Sequence, residues 1–238
     1  MTPPTTAFVL AAGLGTRMRP LTDDRPKALV EVASKPLIDH MLDRLAGAGA
    51  QRFVVNVHYF ADTLEAHLKT RRDLDIVISD ERDALLETGG GLKKARPLLG
   101  DDPVWVANTD SVWLEDAGGD ALGDLVRLWN PDTMDAALLL AEMTRTTGFD
   151  GAGDFFINDD QRLRFRNDAS AAPLNYMGVH ITKPQIVDGE VEAAFSLAPI
   201  WRRLAPQGRV AGAVMRGDWM HVGDPQALKD AEARLAAG

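Results

Sequence analysis

The chain has 238 residues, no cysteine, 45% hydrophobic and 26% charged residues, and a formal charge of −9. At roughly 150 residues per domain this is one globular domain with room for an elaboration, and the composition excludes a disordered, collagen-like or coiled-coil chain. The lack of cysteine excludes disulfides, thiolate catalysis and Cys-ligated zinc. With 26 Lys and Arg against 35 Asp and Glu, a nucleic-acid partner is not expected and any anionic ligand needs a local cationic site.

Residues 7 to 12 form an apolar run that stops at Gly13, as a buried strand entering a turn does. A long loop follows. From Pro36 to Leu45 apolar residues recur at helical spacing. Next come a strand at 53 to 57, a helix at 61 to 68, a strand at 75 to 79, a helix at 91 to 99 and a strand at 104 to 108. This alternation predicts an α/β fold, with a mostly parallel sheet, helices on both faces, and ligands beyond the carboxyl ends of the strands. A helix at 122 to 129 and a strand at 136 to 143 continue it. After Gly148 the texture changes: 154 to 166 read as a hairpin around an Asn-Asp-Asp turn, followed by a strand at 176 to 181, a helix at about 192 to 204, one strand region at 209 to 222, and a helix starting near Pro225. The longest apolar runs, such as 136 to 141, fall far short of the ~20 residues of a membrane span, and residues 1 to 6 lack the basic start of a signal peptide. No membrane partner and a cytoplasmic location are the expectations.

The first loop carries the chemistry. Gly13 and Gly15 let backbone approach a phosphate closely. Arg17, Arg19, Arg25 and Lys27 outnumber Asp23 and Asp24 there, a local positive surplus in an acidic chain. At an effective dielectric near 20, a cation about 4 Å from a phosphate charge gains about 4 kcal/mol before desolvation. A dinucleotide fingerprint is excluded because Met18 holds the third glycine position, and neither GLGTRMRP nor GGGLKK completes a Walker A loop.

The stretch LAAGLGTRMRPLTDDRPKALVEVASKPLI, residues 10 to 38, resembles the signature of the sugar-1-phosphate nucleotidyltransferases. The likeness extends to LETGGGLKKA (86 to 95), NTD (108 to 110), GVHITKP (178 to 184) and WMHVGDP (219 to 225). Within that family the short length, ETGGG and FSLAPIWRRL (195 to 204) most resemble the N-acetylmuramate-1-phosphate uridylyltransferases; mannose-1-phosphate guanylyltransferases are the alternative. A non-catalytic nucleotide-sugar-binding protein is the reading from another class, opposed by intact Arg17, Lys27 and Asp110.

The resemblance implies a Rossmann-like nucleotide-diphospho-sugar transferase fold in a single domain, with nucleotide-binding residues in about 1 to 110 and sugar-binding residues in about 111 to 238. It implies an NTP and a sugar 1-phosphate as substrates and a monomer or small homo-oligomer. Arg17 holds the departing phosphates, Lys27 the α-phosphate, and Asp110 a catalytic Mg²⁺, with Mn²⁺ as the alternative. Leu10, Ala11, Ala12, Gly13, Gly15, Thr16, Glu87, Thr88, Gly89, Gly90 and Asn108 surround the nucleotide, the last five including a helix start that also reads as an anion site. Gly153, Asp154, Asn175 and Gly178 surround the sugar. His221 stands where the family has its second metal-binding acid, a ligand better suited to Mn²⁺ than to Mg²⁺. Arg164, Arg202 and Lys183 are candidates for a carboxylate on the sugar. His58, His67 and His180, and Trp105, Trp113, Trp129 and Trp201, are expected to be packing or rim residues.

Overall fold

The computed structural model describes residues 2–237. Its elements in chain order are β1 (Thr6–Leu10), β2 (Glu31–Val32), β3 (Lys35–Pro36), α1 (Leu37–Gly47), β4 (Arg52–Val57), α2 (Ala61–Leu68), β5 (Asp75–Asp80), α3 (Glu87–Leu99), β6 (Val104–Asn108), β7 (Ser111–Glu115) and α4 (Ala121–Leu128). Then follow β8 (Ala136–Glu142), β9 (Thr146–Thr147), β10 (Phe155–Ile157), β11 (Leu163–Phe165), β12 (Leu174–Thr182), α5 (Ala198–Leu204), β13 (Val210–Val214), β14 (Gly217–His221) and α6 (Pro225–Ala237).

The main sheet runs β11-β10-β12-β6-β1-β4-β5, with β8 on β12 and β13 on β8. Its N-terminal part, β6-β1-β4-β5, is wholly parallel. β12 joins antiparallel to β6 and β8, so the sheet as a whole is mixed. Because side chains alternate along a strand, Ala7 and Val9 of β1 enter one core with α1, α2 and α4. Phe8 enters the other with α3 and α5. Helices therefore cover both faces, as the alternating pattern predicts.

Two stretches differ from the sequence expectation. The helix expected over 192 to 204 begins only at Ala198. Pro199 suits a first helical turn and disfavours helix before it, and the preceding segment lies across the start of α3 instead. The single strand region expected over 209 to 222 is two strands in different sheets: β13 extends the main sheet beside β8, while β14 pairs with β7, a strand the sequence pattern does not reveal, and with β9.

That small second sheet positions the site. A third apolar cluster packs Met18, Val30 and Val32 of the first loop against Val112, Met220 and Val222. Each of the cited loop and strand residues is 5% exposed or less, so the loop is fixed against β7 and β14 rather than left free over the sheet.

Candidate active site

The carboxyl ends of β1 and β6 open into a cavity of about 290 Å³. Leu10, Ala11, Ala12, Gly13, Gly15, Thr16, Arg17, Lys27, Glu87, Thr88, Asn108 and Asp110 all line it, so most of the expected nucleotide-side residues converge there. The cationic surplus of the loop is narrower than the sequence suggests. Arg19 pairs with Asp23 and Arg25 with Asp24 on the surface, leaving Arg17 and Lys27 in the cavity wall.

At its floor Lys27 Nζ lies 2.7 Å from Asp110 Oδ2, with both side chains largely shielded. His221 Nε2 lies 3.3 Å from the same oxygen. β14 brings it there by pairing His221 with Ser111, next to Asp110. Burial opposes ionisation of Asp110, but the charges and hydrogen bonds of Lys27 and His221 outweigh it and hold the carboxyl well below its ordinary range. His221 Nδ1 lies 3.0 Å from the Gly148 carbonyl, which only accepts, so Nδ1 carries the proton. Nε2 therefore faces Asp110, and a cation bound between the two in place of the Nε2 proton would take one nitrogen and one oxygen ligand from them. Among the described residues no group of three or more His, Cys, Asp and Glu is placed to hold a metal, so such an ion would draw its remaining ligands from substrate and water. Asp224, the nearby acid, instead accepts from the N–H groups of Gln226 and Ala227 at the start of α6.

Gly15 closes the loop around Lys27. Its φ is +63°, and a Cβ there would stand 3.0 Å from Lys27 Cβ and 3.1 Å from Thr22 Cγ2; buried Thr22 donates to the Gly15 carbonyl at 2.8 Å. Gly15→Ala is expected to cost about 1–2 kcal/mol of stability from the left-handed backbone alone and to lower turnover further by displacing Lys27. Thermal melts and steady-state rates check this; an unchanged rate would contradict the contact.

Asn56 and Glu81 also line this cavity, and the motif reading missed them. The N–H groups of Ala11 and Ala12 donate to Asn56 Oδ1 at 2.6 and 3.2 Å, so what this turn offers a ligand is its carbonyls and the amides beyond it. Asn56 Nδ2 donates in turn to Glu81 Oε1 at 2.9 Å. Glu81 is fully buried, its Oε2 has no partner among the described residues, and burial raises its pKa. The folded state thus retains this proton to higher pH than the unfolded chain, and stability falls as pH rises above 4.5 toward and through the folded value. Glu81→Gln is expected to raise the melting temperature at pH 8 and to flatten the pH dependence above 4.5. A melt series across pH 4 to 8 in which the variant and the parent keep parallel slopes would contradict this.

Within ETGGG, Glu87 and Thr88 line the cavity whereas Gly89 and Gly90 do not. The N–H groups of Gly89 and Gly90 donate to the Phe195 carbonyl at 2.8 and 3.0 Å, and Thr88 Oγ1 accepts from Leu197 N. A Cβ on Gly89 would collide with Phe195, and one on Gly90 with the Ala193 carbonyl. Gly89 and Gly90 therefore let residues 193 to 197 cross the start of α3, and they line neither cavity. Two of the N–H groups at the helix start are thus engaged within the protein.

A second cavity, of about 360 Å³, adjoins the first through Leu10, Thr88 and Asn108. Gly153 and Asp154 line it as expected. Gly178 does not; it admits Asn108, whose Nδ2 would lie 3.0 Å from an added Cβ. Asn175 also lies outside: it is fully buried and donates to Met143 Sδ, because strand alternation turns Tyr176 into the cavity and Asn175 away from it. Of the three cations proposed for a carboxylate, only Arg202 reaches this cavity. Arg164 stacks over Phe156 and Lys183 pairs with Asp135. Arg166, which the sequence reading passed over, lines it with Arg202. Arg166 donates to the Gly153 and Ala169 carbonyls and Arg202 to Asn167 Oδ1, contacts that hold the guanidiniums without neutralising them. Trp105, Trp113 and Trp129 are core residues, whereas Trp201 and His180 stand in the cavity wall.

A cavity at the carboxyl ends of the parallel strands β1 and β6, floored by a lysine–carboxylate pair and adjoining a second cavity, is the arrangement expected of a ligand-binding group-transfer site on an α/β sheet. The chain belongs to the nucleotidyl transferase family, whose model matches residues 6–149. It is 57% identical over 237 residues, 98% of each chain, to the N-acetylmuramate alpha-1-phosphate uridylyltransferase of Caulobacter vibrioides. It is 36% identical to the protein of the same name from Neisseria meningitidis, over 97% of this chain and 98% of that one. The inositol-1-phosphate CTP transferase of T. maritima superposes with a TM-score of 0.79 at 16% identity, covering 98% of this chain and 97% of that one, a likeness of fold alone.

Proposed function

We propose that the protein transfers the uridylyl group of UTP to the phosphate of N-acetylmuramate α-1-phosphate, giving the UDP-sugar and pyrophosphate. The observation that carries this reading is the junction at Asn108 of a cavity floored by Lys27 and Asp110 with a second one flanked by Arg166 and Arg202. The names of the two uridylyltransferase relatives support the choice of base and sugar. The arginines supply the charge that the lactyl carboxylate of a muramyl sugar needs.

A phosphate oxygen of the acceptor attacks the α-phosphorus of UTP; the new P–O bond forms as the bond to the β-phosphate oxygen breaks and pyrophosphate leaves. The attacking oxygen is already anionic, so no protein base is required and catalysis rests on positioning and charge stabilisation. Lys27 follows the charge at the α-phosphate, and Arg17, at the cavity mouth beside Gly223, holds the departing pyrophosphate. Asp110 and His221 would hold Mg²⁺, or Mn²⁺ in its place, and that ion supplies neutralisation of the phosphate oxygens. With this acceptor the reaction belongs to cell-wall recycling in the cytoplasm.

The test is a competition of UTP, GTP, CTP and dTTP against N-acetylmuramate, N-acetylglucosamine and mannose 1-phosphates, read by pyrophosphate release in Mg²⁺ and in Mn²⁺. Preference for UTP with the muramyl acceptor is the expected result. Preference for GTP with mannose 1-phosphate would replace the reading by a guanylyltransferase, and no turnover with any pair would favour a binding protein.

A further inference from the structure

The acceptor-side cavity contains two hydrogen-bonding groups that its arginines leave unexplained. His180 and Trp201 are 1% and 5% exposed, and His180 Nε2 and Trp201 Nε1 are both buried without a partner among the described residues. Buried polar groups are paired in the great majority of cases, so two orphans in the wall of one cavity mark a place that a ligand completes. The rings form a box with Tyr176: Trp201 stands edge-on to Tyr176 and to His180, each at 5.1 Å between centroids.

The chemistry of the orphans narrows what fits. Burial drives the His180 pKa down to about 3, so the ring is neutral and carries one proton. The Tyr176 hydroxyl lies 2.6 Å from His180 Nδ1, its one hydrogen-bond partner among the described residues; with the phenol proton donated there, the ring proton is on Nε2. Both unpaired groups are then N–H donors. A sugar hydroxyl would accept from them but strand its own proton in an aromatic wall. A carboxylate would bring a charge to two neutral donors when Arg166 and Arg202 offer cations in the same cavity. An amide carbonyl accepts from both donors while its N–H, held away from them by the planar amide, has Asp154 and Ser196 in the same cavity as acceptors and its methyl group has Phe155 and Leu197.

We propose that Trp201 Nε1–H and His180 Nε2–H bind the carbonyl oxygen of an acetamido substituent on the acceptor sugar, which makes these two residues determinants of acceptor specificity. The inference rests on the acceptor assignment under Proposed function and extends it from the carboxylate to a second substituent.

The test compares kcat/KM for N-acetylmuramate 1-phosphate with that for 3-O-lactylglucose 1-phosphate, which differs by a hydroxyl in place of the acetamido group. Trp201→Phe keeps the ring and removes the N–H. It is expected to reduce the preference for the acetamido sugar about tenfold, through KM for that sugar, with little change for the hydroxyl sugar. His180→Phe is expected to shift the ratio the same way and carries the test if Trp201→Phe does not fold. An equal fall on both acceptors, with the ratio unchanged, overturns the inference and leaves the acceptor assignment standing. A parent protein that turns over neither muramyl-type acceptor overturns both.

Discussion

Replacing Lys27 by methionine is expected to lower kcat by about 10²–10³-fold, the range found when one preorganised charge or donor at a reacting centre is removed. Lys27 is 14% exposed and sits 2.7 Å from Asp110 Oδ2, so it works in a shielded site where a unit charge counts for more than in water. Methionine fills nearly the same volume without the ammonium. If the charge acts on the α-phosphorus as bonds change, kcat falls and KM for the acceptor barely moves. Steady-state kinetics in both substrates check this, and a fall confined to KM would reassign Lys27 to ground-state binding.

Asp110→Asn is expected to lower turnover by about 10³-fold, at the upper end of such effects, and to abolish any saturation of rate with metal that Asp110 brings about. It has a second signature. The Asp110 pKa is lowered in the folded state, so the carboxylate contributes stability that is fully present above its unfolded value of 3.8 and is lost only as pH falls below it through the folded value. The variant should therefore be less stable than the parent by a constant amount between pH 5 and 8, and the gap should close in strong acid. A gap that closes between pH 5 and 8 would contradict this.

The parts of this site that the sequence disclosed are those carried by local backbone. Leu10 ends β1 and Ala11 to Thr16 follow it without a break, while Asn108 ends β6 and Asp110 stands just beyond, after an evident apolar run, so position along the chain is enough to bring them together. His221 was found as a departure from a motif, but only the pairing of β14 with β7 shows why it reaches Asp110. What stayed hidden depends on long-range geometry. Asn56 and Glu81 carry no motif signal; what ties them to the site is the approach of the Ala11 and Ala12 amides to Asn56. Gly89 and Gly90 look like a phosphate loop, yet they make room for a segment more than a hundred residues on. Asn175 and Tyr176 differ by one step of strand alternation, which a motif match does not resolve and the irregular register between Tyr176 and His180 further obscures. Arg166 and Arg202 come from different elements and share no sequence signal.

The most direct measurement of the central claim is the product formed from equimolar UTP and N-acetylmuramate α-1-phosphate with Mg²⁺, followed by ³¹P NMR. The account predicts that the α-phosphorus of UTP and the sugar phosphate convert together into the two coupled signals of a sugar diphosphate, with one pyrophosphate per turnover and conversion about 10²–10³-fold slower in the Lys27→Met protein. Hydrolysis of UTP with the sugar phosphate unchanged, or equal conversion by Lys27→Met, would contradict it.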